Sequence, residues 1–113
     1  MRGAFSRDPD GRLVCVVHHA AGSSVVTASD PISAASELIA ALDDVRASGY
    51  GECLWHEPNG DYRWMFKLDG TTVTVAVLWS GGTLTGWEHV LRGETNLDQL
   101  ARQTANGLLG AGT

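Results

Sequence analysis

The sequence predicts an α+β protein: a two-layer sandwich in which two helices cover one face of a mainly antiparallel sheet of five to six strands. Three patterns indicate this class. Two hairpin-turn dipeptides stand between aromatic and β-branched runs, one long segment has the period of an amphipathic helix, and a shorter such segment lies near the C-terminus. The predicted order is ββαββββα. Because 113 residues allow one core, we expect a single domain over residues 1–113.

The N-terminal part predicts a hairpin. Residues 1–11 are polar and turn-rich, and we expect them to be loosely ordered, like the glycine-rich tail 110–113. Residues 12–18 (RLVCVVH) have the β-branched content of a strand. A turn around Gly22 and a short apolar run over 25–28 follow, so the two runs are expected to pair.

The first helix has clear start and stop signals. Asp30 can cap it, Pro31 suits the first helical position, and Gly49 suits a left-handed C-cap. Apolar residues between them recur at spacings of three and four, which predicts one buried stripe. The stripe consists of Ile32, Ala35, Leu38, Ile39, Leu42 and Val45.

The centre of the chain predicts a three-strand meander. Asn59-Gly60 and Asp69-Gly70 can each supply the positive φ angles of a two-residue hairpin loop. The register that these loops imply places the aromatic and valine residues on one face. It pairs Phe66 with Val73, Trp64 with Val75, Tyr62 with Val77, Cys53 with Phe66, Trp55 with Trp64, Leu54 with Met65, His56 with Arg63 and Glu52 with Lys67.

A last strand and a last helix follow the meander. A three-residue loop, or a bulge at Gly86, would bring Trp87, His89 and Leu91 of the strand over 83–92 onto the valine face. Residues 95–98 offer a cap for the closing helix, whose apolar side carries Leu97, Leu100, Ala101, Ala105 and Leu108. We therefore expect the two helices to cover the aromatic face, which carries Tyr62, Trp64, Phe66, Val73, Val75, Val77 and Trp87, and all four tryptophans to lie there.

The C-terminal half of the chain resembles a group of small bacterial proteins of unknown function. The residues that carry the resemblance are EPNGDYRWMF at 57–66, VTVAVLW at 73–79 and LDQLARQTANGLL at 97–109. Members of the group have an E-P-x-x-Y-x-W-x-F motif, a valine-rich strand and a C-terminal helix, whereas here one extra residue separates Pro58 from Tyr62. The resemblance implies the fold and no activity. In size and charge the chain is also similar to immunity proteins of bacterial toxin systems.

Composition and charge exclude some classes of partner and indicate the cellular compartment. The net charge is −5, with Lys67 as the one lysine beside seven arginines, so we expect no nucleic-acid binding through phosphate contacts. The sequence predicts no membrane span and no secretory signal, and hence a cytoplasmic protein. Cys15 and Cys53 lie in apolar runs, which is typical of free thiols in a reducing compartment; a disulfide between them is the alternative.

Catalytic and metal chemistry find little support in the sequence. The predicted registers keep His56 and His89 on opposite faces, and His18 and His19 are adjacent residues that diverge in a strand, so we predict no metal site and no cofactor. Glu57 is the best candidate for a general acid, but a structural role at the sheet edge is the favoured interpretation. We therefore predict a protein that is not an enzyme.

The uncovered face of the sheet is the predicted site of function. It combines a charged rim with an apolar centre, as protein interfaces do. The predicted partner-binding residues are Leu54, His56, Arg63, Met65, Lys67, Thr74 and Leu78. The expected partner is another protein, or a second copy in a homodimer, and the expected role is that of a bacterial immunity or regulatory protein.

A small-molecule-binding domain is the alternative interpretation. In that case a crevice between the helices and the aromatic face would hold the ligand. Its lining would include Trp55, Glu57, Tyr62, Trp64, Trp87 and His89.

Overall fold

The computed structural model describes residues 1–82 and 86–111. They form seven strands and two helices in the order βββαββββα. The elements are β1 (Arg2–Arg7), β2 (Leu13–His19), β3 (Gly22–Ala28), α1 (Pro31–Ser48), β4 (Tyr50–Glu57), β5 (Gly60–Asp69), β6 (Thr72–Ser80), β7 (Glu88–Asn96) and α2 (Leu97–Ala111).

The strands divide into two antiparallel sheets, where the sequence predicts one. A three-stranded sheet has the order β1-β2-β3, and a four-stranded sheet has the order β4-β5-β6-β7. The ends of β3 and β4 meet through one backbone hydrogen bond, from the Ser29 N–H to the His56 carbonyl at 2.9 Å. The prediction of a loosely ordered lead-in is wrong for residues 2–7, because β1 pairs along its length with β2. Residues 112–113 of the predicted loose tail lie outside the described residues.

Helix α1 begins and ends where the sequence predicts, but it buries a different stripe. The Asp30 carboxylate accepts the Ser33 N–H at 3.2 Å, and Gly49 adopts φ 83° while its N–H bonds the Val45 carbonyl. Ile32 and Ile39 are 77% and 48% exposed. The helix is rotated so that alanines pack against the sheets, and its buried residues are Ala34, Leu38, Ala41, Leu42 and Val45.

The two hairpins form as predicted, with registers displaced by two residues. The loop residues are Pro58-Asn59 and Gly70-Thr71, so Trp55 faces Tyr62 and Phe66 faces Val75. Gly70 has φ 64° at the first loop position, as a type II′ turn requires. Gly60 instead belongs to β5, where a side chain would strike the Ser80 carbonyl and the Trp79 ring. A displacement of two residues keeps every side chain on its predicted face.

An irregularity in β6–β7 overturns part of the predicted core. The register shifts between Val77 and Leu78, so that Leu91 faces Val77 whereas His89 faces Leu78. Leu91 is buried as expected, but His89 is exposed and Trp87 is 44% exposed. The prediction that both lie on the aromatic face is wrong, because the extra residue in β7 reverses the orientation of the side chains that precede it.

One hydrophobic cluster unites both sheets and both helices. Helix α2 is capped by the Asn96 side chain, which accepts the N–H groups of Asp98 and Gln99 at 2.9 and 3.4 Å. It supplies Leu100 and Thr104 to the interior, while Ala105, predicted to be buried, is exposed. The sheets contribute Leu13, Cys15, Val17, Val26, Ala28, Cys53, Trp55, Trp64, Phe66, Val73, Val75, Val77 and Leu91.

Candidate functional site

The solvent side of the four-stranded sheet, called the open face below, is the candidate site. Alternation along each strand sends every second residue to this side, and the pairings arrange them in rows. From β4 to β7 the rows are Tyr50–Lys67–Thr74–Glu94, Glu52–Met65–Ala76–Arg92, Leu54–Arg63–Leu78–His89 and His56–Asp61–Ser80. The helices pack on the opposite face, so neither α1 nor the described part of α2 covers these rows.

An arginine is held in place near the middle of the open face. The Arg63 Nη2 donates to the Glu52 Oε2 at 2.7 Å, and the Tyr50 hydroxyl donates to the same oxygen at 2.7 Å. The Trp87 ring lies 5.8 Å from the Arg63 guanidinium carbon, within reach of a cation–π contact. The hydrogen bonds from Arg63 and Tyr50 lower the pKa of the Glu52 carboxyl below its usual value. This part of the face therefore presents a fixed ion pair between two exposed aromatic rings.

Two further cations of the open face have no anionic partner among the described residues. Lys67 and Arg92 are exposed, and no ion pair in the described residues includes either of them. They lie around an open depression of about 310 Å³. Its lining comprises Tyr50, Met65, Phe66, Lys67, Thr74, Ala76, His89 and Arg92. The depression thus combines an apolar floor with a positively charged margin.

The fourth row forms the end of the open face nearest β3. The His56 Nδ1 and the Asp61 Oδ1 lie 2.6 Å apart, and both side chains are largely solvated. The backbone carbonyl of His56 accepts the hydrogen bond from Ser29 that joins the two sheets. This corner of the open face therefore helps to join the two sheets, and it does not line the depression.

The structure brings all the predicted partner-binding residues onto one face. Leu54, Arg63, Met65, Thr74 and Leu78 are half-buried, while His56 and Lys67 are exposed. Sequence reasoning missed three further members. Tyr50 has the same strand parity as Glu52, and Arg92 directly follows Leu91, whose burial the sequence predicts, so both could have been found by alternation along their strands. Trp87 depends on the shift in the β6–β7 register, for which the sequence gives no local signal.

The six residues predicted to line a ligand crevice lie in three separate places. Trp55 and Trp64 pack in the core with their ring centroids 5.1 Å apart, and Tyr62 packs on Trp79 at its margin, 4.6 Å between centroids. Trp87 and His89 lie on the open face instead.

Glu57, the sixth, is a link between the two sheets. It is 5% exposed, accepts a hydrogen bond from Arg12 Nη1 at 2.9 Å, and accepts another from the Ser29 hydroxyl at 3.2 Å. Arg12 in turn binds Asp8 at 2.9 Å.

A small cavity does lie between the helices and the aromatic face. Its volume of about 20 Å³ is room for one water molecule. Phe5, Cys15, Trp64, Phe66, Leu100 and Gln103 are among the residues that surround it. The indole N–H groups of Trp55 and Trp64 are buried without a partner in the described protein.

The remaining reactive groups are dispersed. In the part of the chain that the structure describes, no three histidine, cysteine or acidic side chains come close enough to hold a metal ion. Cys15 and Cys53 are free and buried, and burial raises the pKa of each thiol to about 12. Neither α1 nor the described part of α2 is long and apolar enough to cross a membrane.

Comparisons of the chain with protein-family models, with curated proteins and with solved structures find no match. The geometry of the open face is therefore the basis on which a function is proposed.

Proposed function

We propose that this chain is a non-enzymatic protein-binding domain that docks its partner on the open face. The observation that carries the proposal is the set of side chains assembled there: two exposed aromatic residues, Tyr50 and Trp87, flank an oriented arginine, Arg63. Tyrosine, tryptophan and arginine are the residue types that contribute most binding energy in protein interfaces. Leu54 and Met65, half-buried between them, supply apolar area.

The charge arrangement favours a partner that presents an acidic side chain next to an apolar one. Glu52 already neutralises Arg63, so that guanidinium has little need of a second anion. Lys67 and Arg92 take part in no ion pair within residues 1–82 and 86–111, and they border the depression over Met65. A carboxylate placed between them would gain charge-assisted hydrogen bonds while its apolar neighbour fills the depression.

The same features support a regulatory or toxin-neutralising role in a bacterial cytoplasm. The chain is small and carries a net charge of −5, and the mixed α+β architecture leaves one sheet face free for a partner. Such proteins act by occupying a surface of their partner, which requires a rigid preformed face rather than a reactive group.

A selection from random peptides displayed on phage tests the proposal. Peptides that bind the immobilised chain should be enriched in an aspartate or glutamate next to a large apolar residue. The double variant Leu54→Glu/Met65→Glu should weaken their binding at least about tenfold, because it places charge in the apolar centre. A second variant, Lys67→Glu/Arg92→Glu, should shift the selection towards basic peptides.

The control makes the same chemical change away from the open face. Ile32 and Ile39 are exposed apolar residues of α1, so Ile32→Glu/Ile39→Glu adds the same two charges and should leave binding unchanged. Selected peptides without acidic residues, or binding that survives Leu54→Glu/Met65→Glu, would contradict the proposal. Self-association that this variant abolishes would identify a second copy as the occupant.

A further inference from the structure

The free edge of β3 differs from the other strand edges of the described structure. Strands at the edge of a sheet usually carry charges, prolines or bulges, or are covered, because an unprotected edge pairs with other chains. Strand β3 has no charge, proline or bulge, and among the described residues β4 meets its outer edge only beyond its C-terminal end, at Ser29. Its seven residues, GSSVVTA, are uncharged and rich in β-branched side chains. The uncharged run extends from Ala20 to Ser29.

The other edges of the two sheets are protected. Helix α2 lies along β1, and its Gln103 side chain accepts the Gly3 N–H at 3.3 Å. The edge of β4 carries Glu52 and Glu57, and its end is bonded to Ser29. The edge of β7 carries Glu88, Arg92 and Glu94. Among residues 1–82 and 86–111, β3 thus has the one long neutral edge.

The hairpin register shows which β3 groups face away from the sheet. His19 and Gly22 close a two-residue loop, so Gly22, Ser24, Val26 and Ala28 exchange backbone hydrogen bonds with β2. The N–H and C=O groups of Ser23, Val25 and Thr27 then point outward. Ser29 continues this alternation, which explains why its N–H reaches β4.

The solvent side of the three-stranded sheet offers apolar contact beside this edge. Val25 is 52% exposed and is paired with half-buried Val16, which is in turn paired with exposed Ala4. Neither α1 nor α2 covers this row, since both pack on the core side. A strand added at this edge would place a side chain beside Val25 and so bury part of its exposed surface.

We propose that the β3 edges of two copies of this chain pair antiparallel about a two-fold axis at Val25, giving a six-stranded sheet across the dimer. Val25 then faces Val25 of the second copy, and Ser23 faces Thr27. The second copy is the favoured occupant because the neutral run 20–29 is nearly symmetric about this axis, so two acidic chains meet without like charges in contact. The proposal involves no residue of the open face and stands independently of the proposed function.

Sedimentation equilibrium over a range of protein concentrations tests the pairing. The wild-type chain should form a dimer, and Val25→Lys should raise its dissociation constant at least about tenfold by placing like charges at the axis. Val25→Pro should act in the same way because it removes an outward N–H that β2 does not use. Ile32→Lys, which adds the same charge on exposed α1, should dimerise like wild type. Circular dichroism verifies that each variant is folded.

A crosslink identifies the register. In an antiparallel pair the facing Cα atoms at the axis lie about 5.5 Å apart, within the range that a disulfide spans. Val25→Cys should therefore oxidise to a covalent dimer, whereas Ile32→Cys should not. A wild-type chain that stays monomeric at its highest soluble concentration would overturn the proposal. So would a dimer that tolerates Val25→Lys but is lost in Leu54→Glu/Met65→Glu, since that dimer would use the open face.

Discussion

Replacing Glu57 by alanine should loosen the junction between the two sheets. Glu57 lies at the end of β4 with 5% of its side chain exposed, and it is bonded to Arg12 before β2 and to Ser29 after β3. Together with the Ser29–His56 hydrogen bond, these contacts join the end of β4 to the two residues that flank the β2–β3 hairpin at its open end, opposite the turn. The Glu57→Ala variant keeps the backbone bond and removes both side-chain links.

The expected loss follows from the two hydrogen bonds and their exposure. A hydrogen bond to a charged group contributes about 1.5–3 kcal/mol when it is well shielded. Arg12 is 40% exposed and keeps its bond to Asp8, so solvent screens the ion pair and the guanidinium is not left without a partner. We expect a decrease in the free energy of unfolding of about 2 kcal/mol, or a melting temperature lower by about 8 °C.

Urea denaturation followed by tryptophan fluorescence measures this change. Glu94→Ala, an exposed glutamate of another strand, should stay within about 0.5 kcal/mol of wild type. A double-mutant cycle with Arg12→Ala should give a coupling of about 1 kcal/mol between Arg12 and Glu57. The structural role would be refuted if the Arg12→Ala and Glu57→Ala effects were additive, or if Glu57→Ala were as stable as wild type. Glu57 would then again be a candidate general acid.

Three further predictions concern packing, thiol reactivity and charge. Gly51→Ala should destabilise the fold by about 2 kcal/mol in thermal melts, because its methyl group would meet the Ala41 carbonyl of α1, whereas Gly81→Ala has ordinary contacts and should be neutral. Since burial raises the pKa of both cysteine thiols to about 12, the folded chain should react with a disulfide reagent only on unfolding; fast reaction at neutral pH would contradict their burial. Arg63→Ala should return the lowered pKa of Glu52 towards its ordinary value in an NMR titration. A carboxyl whose pKa is lowered by folding stabilises the fold above its unfolded-state pKa, and this contribution is lost as the pH falls through its folded-state pKa. The stability of Arg63→Ala should therefore depend less on pH in that range than the stability of wild type does. An unchanged Glu52 pKa in the variant would show that Arg63 does not cause the lowering.

Local signals were sufficient for the helix boundaries and for the faces of the meander. Asp30, Pro31 and Gly49 act through their immediate neighbours, so their effect can be deduced from the sequence. The faces survived an error in register because the error was two residues, and side chains alternate with a period of two. In the β4–β5 hairpin the error arose at Gly60, where Trp79 and Ser80 approach so closely that a side chain would clash, a reason that only the tertiary structure contains. In the β5–β6 hairpin it arose because Gly70 takes the first loop position instead of the second.

Features that depend on contacts between distant segments could not be predicted. The segment RGAFSR at 2–7 has a polar composition, yet it forms a strand. It does so because its backbone pairs with β2 on one side and α2 packs along it on the other. Ile39 follows the helical period as well as any residue of α1, yet smaller Ala41 is buried because β4 approaches the helix closely at Gly51. The β6–β7 shift likewise placed Trp87 on the open face, so the site was predicted without one of its aromatic residues.

The open face and the β3 edge share no residue, so the two proposals predict independent effects. The monomeric variant Val25→Lys should bind a selected acidic peptide as tightly as wild type, and Leu54→Glu/Met65→Glu should dimerise as wild type does. If both hold, the wild-type dimer offers two open faces, and it should bind a surface densely coated with that peptide more tightly than Val25→Lys does, because the second contact becomes intramolecular. Equal retention of the two proteins on dense and sparse peptide surfaces would show that the dimer cannot engage both faces together. A fall in the peptide affinity of isolated Val25→Lys would instead show that the edge and the face form one site.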